Sequence, residues 1–317
     1  MSFSYPFPVH EKDDYIMIVP QMSLKTRQKK RIKNNIICYL FLMPWLAFLM
    51  VFTVYPFIYG FVMSLFNVTY KASMYVGFSN FAELFRNAMF LDAIGATLKM
   101  CAIIIPGTVI VSLWIARTIQ DRSRHLQRSA KMVFYITSIV SQVALAIAWK
   151  FMFNPGYGLS ASLMDLLGLP RVDWFGREDL VIPLVSILVM TFSISQPIIL
   201  FSAAMDNIPK DYYEVAELEG ATRTRQFFTV TLPLIRPTLT FVSITAIIAN
   251  LQVFVVPYLL TGGGPNYKTT TILYLVYRNA FEFGRYGYAS AMGIILFAII
   301  GILVLFQYHM ANSSEQY

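Results

Sequence analysis

The chain contains 317 residues, of which 57% are hydrophobic and only 13% are charged, and its mean hydropathy is +0.58. Ordinary soluble domains are about 45–50% apolar and about 25% charged. The composition therefore excludes a disordered chain, an ordinary cytosolic enzyme and a basic nucleic-acid-binding domain, even though the net charge is +8. An integral membrane protein fits it.

The first 35 residues are expected to form a cytoplasmic tail and not a cleavable signal peptide. Residues 1–20 contain His10, Glu11 and Lys12 without a compact apolar core, and residues 24–33 are basic. A signal peptide needs a short apolar run followed by small residues, whereas the first long apolar run begins at Ile36. We expect this run to be a retained membrane span and the basic stretch to lie on anionic lipid.

Six apolar runs are long enough to cross a membrane, which takes about 20 residues of helix. They cover residues 36–66, 92–116, 132–149, 180–205, 237–267 and 286–310. The predicted fold is thus an all-α integral membrane protein, with a six-helix domain over residues 36–310 and a short C-terminal tail over 311–317. Several runs contain prolines, which predict bent or kinked spans.

The positive charges are distributed unequally between the two sides of the predicted bundle. Sixteen Lys and Arg residues lie in the N-terminal tail and in the second and fourth connections, whereas seven lie in the other connections. Because Lys and Arg accumulate on the cytoplasmic side, both termini are predicted to be cytoplasmic.

Few titratable side chains fall inside the predicted spans. Lys99 and Lys150 lie near span ends, where we expect them to extend toward the interface. No acidic residue lies deep in the bundle, which disfavours a proton-coupled carrier. Cys38 and Cys101 both lie in apolar stretches and are predicted to be buried free thiols, and the chain's three histidines are too scattered to form a metal centre.

The connection between the fourth and fifth spans, residues 205–236, has the pattern of a short amphipathic helix. Pro209 and Asp211 favour a helix start, and Gly220 favours a left-handed end. A second short helix is predicted over 222–230. The apolar side of the first would carry Tyr212, Val215, Ala216 and Leu218. Such a helix suits the groove of a partner protein. An alternative is a helix lying on lipid, which its glutamates disfavour.

This connection resembles the EAA signature of ABC-importer permeases. The matching residues are Glu214-Val215-Ala216, then Gly220, then Val230-Thr231-Leu232-Pro233. The spacing of the signature is kept, with Val215 in place of Ala and Val230 in place of Ile. Three further segments are similar to the maltose-type carbohydrate-uptake permeases, namely residues 154–158, 260–265 and 280–291.

The resemblance implies a type I importer permease in the bacterial cytoplasmic membrane. Such a chain would form half of a sugar pathway together with a second permease, which we expect to be a different chain. An extracytoplasmic solute-binding protein would deliver the sugar to the outer loops, 154–180 and 261–285. A dimer of ATP-binding subunits would hold ATP and Mg, because this chain lacks a phosphate-binding loop and is expected to bind no cofactor itself. The residues implied in coupling to the ATPase are Asp211, Glu214, Val215, Ala216, Gly220, Leu232 and Pro233.

Polar side chains within the fourth and fifth spans are the candidates for sugar contact. The resemblance places Ser193, Gln196, Asn250 and Gln252 where this family lines its pathway, and Phe192 and Phe254 offer faces for stacking. Hydrogen bonding between helices is the alternative for each of these polar residues.

Three other functions stay open at this point. The chain could be an importer permease for a solute other than sugar, a stand-alone carrier or channel, or a membrane enzyme. Dependence of uptake on a separate ATPase would distinguish the importer from the other classes.

Overall fold

The computed structural model describes residues 39–70 and 72–313. The chain divides into two compact units, Met1–Ile58 and Tyr59–Tyr317. The helix α1, Tyr39–Ser64, begins in the first unit and ends in the second. It contains a π-helical turn, Met50–Val54. The predicted tail over residues 1–35, Cys38 and the last four residues lie outside the described residues.

The second unit is mostly helical, as predicted. Its one sheet within the described residues is a hairpin of β1 (Phe66–Val68) and β2 (Ser73–Tyr75), in which Phe66 pairs with Tyr75. The helices that follow are α2 (Ser79–Arg86), α3 (Ala88–Gln120), α4 (Arg124–Ile139), α5 (Gln142–Met152), α6 (Leu159–Leu166), α7 (Glu178–Ser193), α8 (Ser195–Asp206), α9 (Asp211–Leu218), α10 (Arg223–Leu234), α11 (Arg236–Leu251), α12 (Val255–Thr261), α13 (Ile272–Tyr277) and α14 (Tyr286–Ser313).

Helix α3 is the central element of this unit. Its 33 residues continue through Pro106 without a break and extend four residues beyond each end of the predicted span. At 1.5 Å per residue the helix is about 50 Å long. Helices α7, α8 and α11 pack along it. Cys101 lies on α3 as a buried free thiol, which confirms the prediction for that residue.

Three helices in the described part of the chain are long and apolar enough to cross a membrane unbroken: α1, α3 and α14. Three helix pairs reach that length only together. They are α4 with α5, bent by 93°, α7 with α8, bent by 50°, and α10 with α11, bent by 70°. The bend between α7 and α8 falls in the fourth predicted run, whose prolines predicted a bent or kinked span, whereas the third predicted run contains no proline.

Local hydrogen bonding and backbone conformation explain where these helices stop. The Ser138 hydroxyl bonds the carbonyl of Tyr135, and the next residues, Val140 and Ser141, are extended. The fifth predicted span is also interrupted, because α11 ends at Leu251 and a separate short helix, α12, follows. Side-chain hydroxyls that bond nearby carbonyls compete with the helix ladder and favour such ends.

Buried side chains at the end of α3 hold the following segments in place. Phe201 and Met205 of α8 pack with Ala116 of α3 and with Ile235 and Val242 around the start of α11. All five are almost completely buried. Burying one large apolar side chain stabilises a fold by about 1.5–3 kcal/mol, so this cluster fixes the ends of the 205–236 connection.

Candidate functional site

Helix α9 has the start and the end that its sequence predicts. It begins at Asp211, two residues after Pro209, with an acidic first turn. It ends in a glycine-dependent cap, in which the amide of Gly220 donates to Glu217 O at 2.9 Å and that of Ala221 to Ala216 O at 2.9 Å. Gly220 has φ +76°, a conformation that costs other residues free energy.

The two sides of α9 differ in burial. Ala216 is buried, and the half-buried Tyr213 forms a hydroxyl–hydroxyl hydrogen bond of 2.9 Å with Thr231 of α10. Tyr212 and Val215 are exposed, and Leu218 is 89% exposed. Of the four residues that the sequence assigned to the apolar side of α9, Ala216 is thus the only one that is buried.

The exposed side of α9 borders a concave surface of about 680 Å³. We name this surface the docking face, and its lining includes Tyr212, Val215, Glu219 and, across from α9, Arg225 and Val230. Glu214 is exposed and forms no ion pair with any described residue. An exposed apolar patch rimmed by charge is typical of a protein interface.

Helix α10 ends one residue after a proline, Pro233, and a wider turn precedes that proline. Residues Phe227–Thr231 form a π-helical turn immediately before Leu232 and Pro233. A proline in a helix leaves one carbonyl without its usual amide donor, and a wider turn at that point accommodates the change. Thr231 is buried there and anchors Tyr213.

Helix α3 contacts this connection through a residue that the sequence analysis missed. The Arg117 guanidinium lies 4.3 Å from the ring centroid of Phe227, and its Nη2 donates to the carbonyl of Arg223 at 3.3 Å. Nearby, Lys131 Nζ and Asp206 form an ion pair of 2.8 Å. Arg117 directly follows the predicted end of the second span, so treating the helix as longer than its apolar run would have identified it.

The predicted pathway residues lie at two interruptions of the helices. Ile194 separates α7 from α8, with Phe192 and Ser193 on one side of the bend and Gln196 on the other. Gln252 directly follows the end of α11. Both glutamines are exposed, whereas Ser193 donates to Val189 O at 3.0 Å within its own helix.

Asn250 differs from the other pathway candidates. It is only 4% exposed, and its Nδ2 donates to Ala246 O at 2.8 Å in the same helix. Phe192 packs against the buried cluster that contains Val189 and Val253. The two interruptions therefore meet in one cluster, although the structure does not bring all five candidate side chains to one exposed surface.

The two loops that the sequence predicts on the outer side, residues 154–180 and 261–285, contact each other at the start of α7. Asn266 and Lys268 of the second loop both reach the carboxylate of Glu178, the former by a hydrogen bond and the latter at 3.9 Å. Within the first loop, Arg171 and Asp165 form a bidentate ion pair, in which Nε donates to Oδ1 at 2.9 Å and Nη2 donates to Oδ2 at 2.6 Å. This pair holds the pKa of Asp165 below its ordinary value, mainly through the hydrogen bond from Arg171.

Lys150, which the sequence predicts to extend toward the interface, is exposed and also contacts another helix. Its Nζ donates to the carbonyl of Leu259 in α12 at 3.0 Å. A cation near the last carbonyls of a helix is favourable, because the helix dipole is negative there. Lys150 thus links α5 to α12.

Comparison with known proteins identifies the family. The model for the family described as "binding-protein-dependent transport system inner membrane component" matches residues 108–314. The chain belongs to this family. Its members are transport components and not enzymes, in agreement with the resemblance found in the sequence.

Relatives and solved structures of similar length support the assignment. The chain is 32% identical to the multiple sugar-binding transport system permease protein MsmF of Streptococcus mutans, over 90% of this chain and 99% of that protein. It is 27% identical to the sulfoquinovosyl glycerol transport system permease protein SmoG of Agrobacterium fabrum, over 84% and 87% respectively. A bacterial alginate ABC transporter in complex with an alginate pentasaccharide-bound periplasmic protein contains a chain with TM-score 0.78 and 26% identity, covering 90% of this chain and 98% of that one.

Proposed function

We propose that this permease chain forms half of the translocation pathway for a sugar or oligosaccharide in a bacterial binding-protein-dependent ABC importer. The observation that carries this proposal is α9: a short helix fixed on one side by Ala216 and Tyr213 and presenting Tyr212, Val215 and Leu218 to a partner. The chain's relatives MsmF and SmoG, whose names refer to sugar-containing solutes, support a sugar or oligosaccharide as the substrate.

The proposed topology has six spans with both termini in the cytoplasm. The three unbroken helices and the three bent pairs together allow six spans. The excess of Lys and Arg in the second and fourth connections supports a cytoplasmic position for α9, with the chain in the bacterial cytoplasmic membrane. The outer loops around Glu178 would then meet the solute-binding protein.

In this proposal α9 docks into a dimer of ATP-binding subunits, which hold ATP and Mg. Val215 and Tyr212 would bury their apolar surface in the partner, and the unpaired Glu214 carboxylate would accept hydrogen bonds there. Closure of the ATPase dimer would move α9 as a rigid body and alternate the access of the pathway. A second, different permease would complete that pathway.

The proposed sugar contacts lie at the two helix interruptions. Gln196 and Gln252 are exposed there and offer amide donors and acceptors that match sugar hydroxyls. Ser193 and Phe192 would complete the first interruption. Asn250 would contact sugar only after its helix rearranges, because its amide is buried against Ala246 O. Interrupted helices near a membrane midplane are a common setting for transporter substrate sites.

The proposal is tested by ATP hydrolysis in the assembled importer. The chain is co-expressed with a candidate ATPase, second permease and binding protein, and ATPase stimulation by sugar-loaded binding protein is measured. We expect Glu214→Ala and Gly220→Asp to lose this stimulation. Glu217→Ala is the matched control, since it removes the same charge from the same helix, but Glu217 lines the concavity that the end of α3 and the first turns of α4 border, where Glu214 does not lie.

Two outcomes would contradict this function. Sugar uptake into liposomes that contain the permeases without any ATPase would show a stand-alone carrier. Equal loss of stimulation in Glu217→Ala and Glu214→Ala would show that Glu214 has no special role in coupling to the ATPase.

A further inference from the structure

On the side of α9 opposite the docking face lies a second concavity, of about 990 Å³, which we name the basic groove. It is bounded by the end of α3, the first turns of α4 and the segment that precedes α9. Six cationic side chains and three acidic side chains line it: Arg117, Arg124, Arg128, Lys131, Lys210 and Arg223, with Asp121, Asp206 and Glu217. The groove therefore has a net positive charge.

Half of these cations already have partners. Lys131 pairs with Asp206 at 2.8 Å, Arg223 with Asp121 at 3.5 Å, and Arg117 lies on the Phe227 ring. Arg124, Arg128 and Lys210 form no ion pair or side-chain hydrogen bond within the described part of the chain, and all three are exposed. These three cations are thus available to an anion that enters the groove.

We propose that the basic groove binds a phosphate group, carried by an anionic phospholipid or by a soluble phosphate ester, between Arg124 and Arg128 of α4 and Lys210. A guanidinium group offers several N–H donors in a plane and binds phosphate oxygens in pairs. A Lys across the groove adds a third positive charge.

The surface of α4 favours the lipid as the source of this phosphate. Arg124, Arg128 and Met132 recur every four residues and so lie along one side of the helix. Beyond them the apolar side chains of Ile136 and Ile139 lie near the same side and are exposed, and no residue of α4 is buried. An acyl chain can lie on this apolar side while the headgroup sits at the arginines.

The depth of the arginines agrees with this arrangement. In the proposed topology the third span begins near Met132, so Arg124 and Arg128 precede it on the cytoplasmic side, next to the headgroup region. Anionic lipids concentrate in the cytoplasmic leaflet and attract Lys and Arg there. The site requires this membrane topology but not the proposed sugar substrate.

The site is tested by native mass spectrometry of the full chain. The protein is released from detergent micelles that contain phosphatidylglycerol at a series of concentrations. We expect the wild type to retain one phosphatidylglycerol molecule. Arg124→Gln or Arg128→Gln should raise the concentration needed for half occupancy by about tenfold, since a charge-assisted hydrogen bond is lost. Arg122→Gln is the matched control, because Arg122 is exposed in the same connection but does not line the groove, and its effect should stay within about twofold.

A variant that removes a negative charge from the groove should have the opposite effect on lipid binding. Glu217 is an acidic residue of the groove without an ion-pair partner among the described residues, so Glu217→Gln should strengthen phosphatidylglycerol binding. Millimolar inorganic phosphate separates the two sources: displacement of the lipid would assign the site to soluble phosphates as well, and retention would assign it to the lipid alone.

Three results would overturn the proposal. One is an equal loss in the Arg122, Arg124 and Arg128 variants, which would mean nonspecific charge attraction. Another is unchanged binding in all of them. The third is release of the lipid on assembly with the second permease, which would mean that a protein covers this side of α4.

Discussion

The contact between Arg117 and Phe227 is expected to hold the 205–236 connection against α3. In Arg117→Gln two interactions are lost: the guanidinium on the ring at 4.3 Å and the hydrogen bond to the carbonyl of Arg223 at 3.3 Å. A cation–π contact contributes about 0.5–1 kcal/mol at an exposed site, and a hydrogen bond from a charged donor about 1.5–3 kcal/mol. Arg117 is half-buried and its hydrogen bond is long, so the lower ends apply.

The expected loss is then about 2 kcal/mol, which is about thirtyfold in the equilibrium between the attached and the detached connection. Hydrogen exchange of the backbone amides of α10 in the full chain measures this opening directly. We expect exchange in Arg117→Gln to be faster by up to that factor, and Arg122→Gln, which removes an exposed Arg just beyond α3, to exchange like the wild type. In the assembled importer, Arg117→Gln should reduce ATPase stimulation while the subunits still assemble.

A double-mutant cycle decides whether the ring carries the effect. Because the hydrogen bond to the carbonyl of Arg223 remains, Arg117→Gln should change exchange about twofold less in a Phe227→Ala background than in the wild type, which corresponds to about 0.5 kcal/mol for the ring contact. Equal effects in both backgrounds, or wild-type exchange in Arg117→Gln, would refute the reasoning.

Three further predictions concern other parts of the chain. Gly287→Ala should destabilise the second unit by about 1–3 kcal/mol in thermal unfolding, because an added Cβ would lie 1.9 Å from the carbonyl oxygen of Phe66. The hydrogen bond from Arg171 lowers the pKa of Asp165 in the folded protein. The Asp165–Arg171 pair therefore stabilises the fold above the pKa that Asp165 has in the unfolded chain, and this stabilisation is lost as the pH falls through its pKa in the folded protein. Proteolysis of the first outer loop should thus accelerate below about pH 4, and Asp165→Asn should remove this dependence. Gln196→Ala should raise the sugar concentration for half-maximal uptake by about tenfold without changing basal ATP hydrolysis, and unchanged uptake would exclude Gln196 from the pathway.

The sequence was most informative where a local rule decides the structure. The ends of α9 follow from Asp211 and Gly220 alone, since an acidic first turn and a left-handed glycine need no distant partner. The predicted second helix over 222–230 also agrees with α10, which begins at Arg223 after the Thr222 cap. Every long helix of the described residues overlaps one of the six apolar runs in the sequence.

The sequence was least informative where tertiary contacts override the apolar pattern. Nothing local shows that Ala216 turns inward while Val215 stays exposed, because the two are adjacent in the same run. The bend between α4 and α5 lies in a continuous apolar run, whereas α3 continues straight through Pro106. A proline therefore does not by itself locate a break, because Pro106 lies inside an unbroken helix whereas Pro197 and Pro237 lie in the first turns of α8 and α11, just after the bends.

The arrangement of α8 and α11 links the docking face to the proposed pathway. Helix α8 runs for 12 residues from the first interruption to the connection, and α11 runs for 16 residues from the connection to the second interruption. At 1.5 Å per residue these are rigid segments of about 18 Å and about 24 Å. They pack against each other and share the buried cluster of Phe201 and Val242. A displacement of α9 must therefore reach both interruptions together, because close-packed helices move as one body and the interruptions are the places where the backbone is free to change direction.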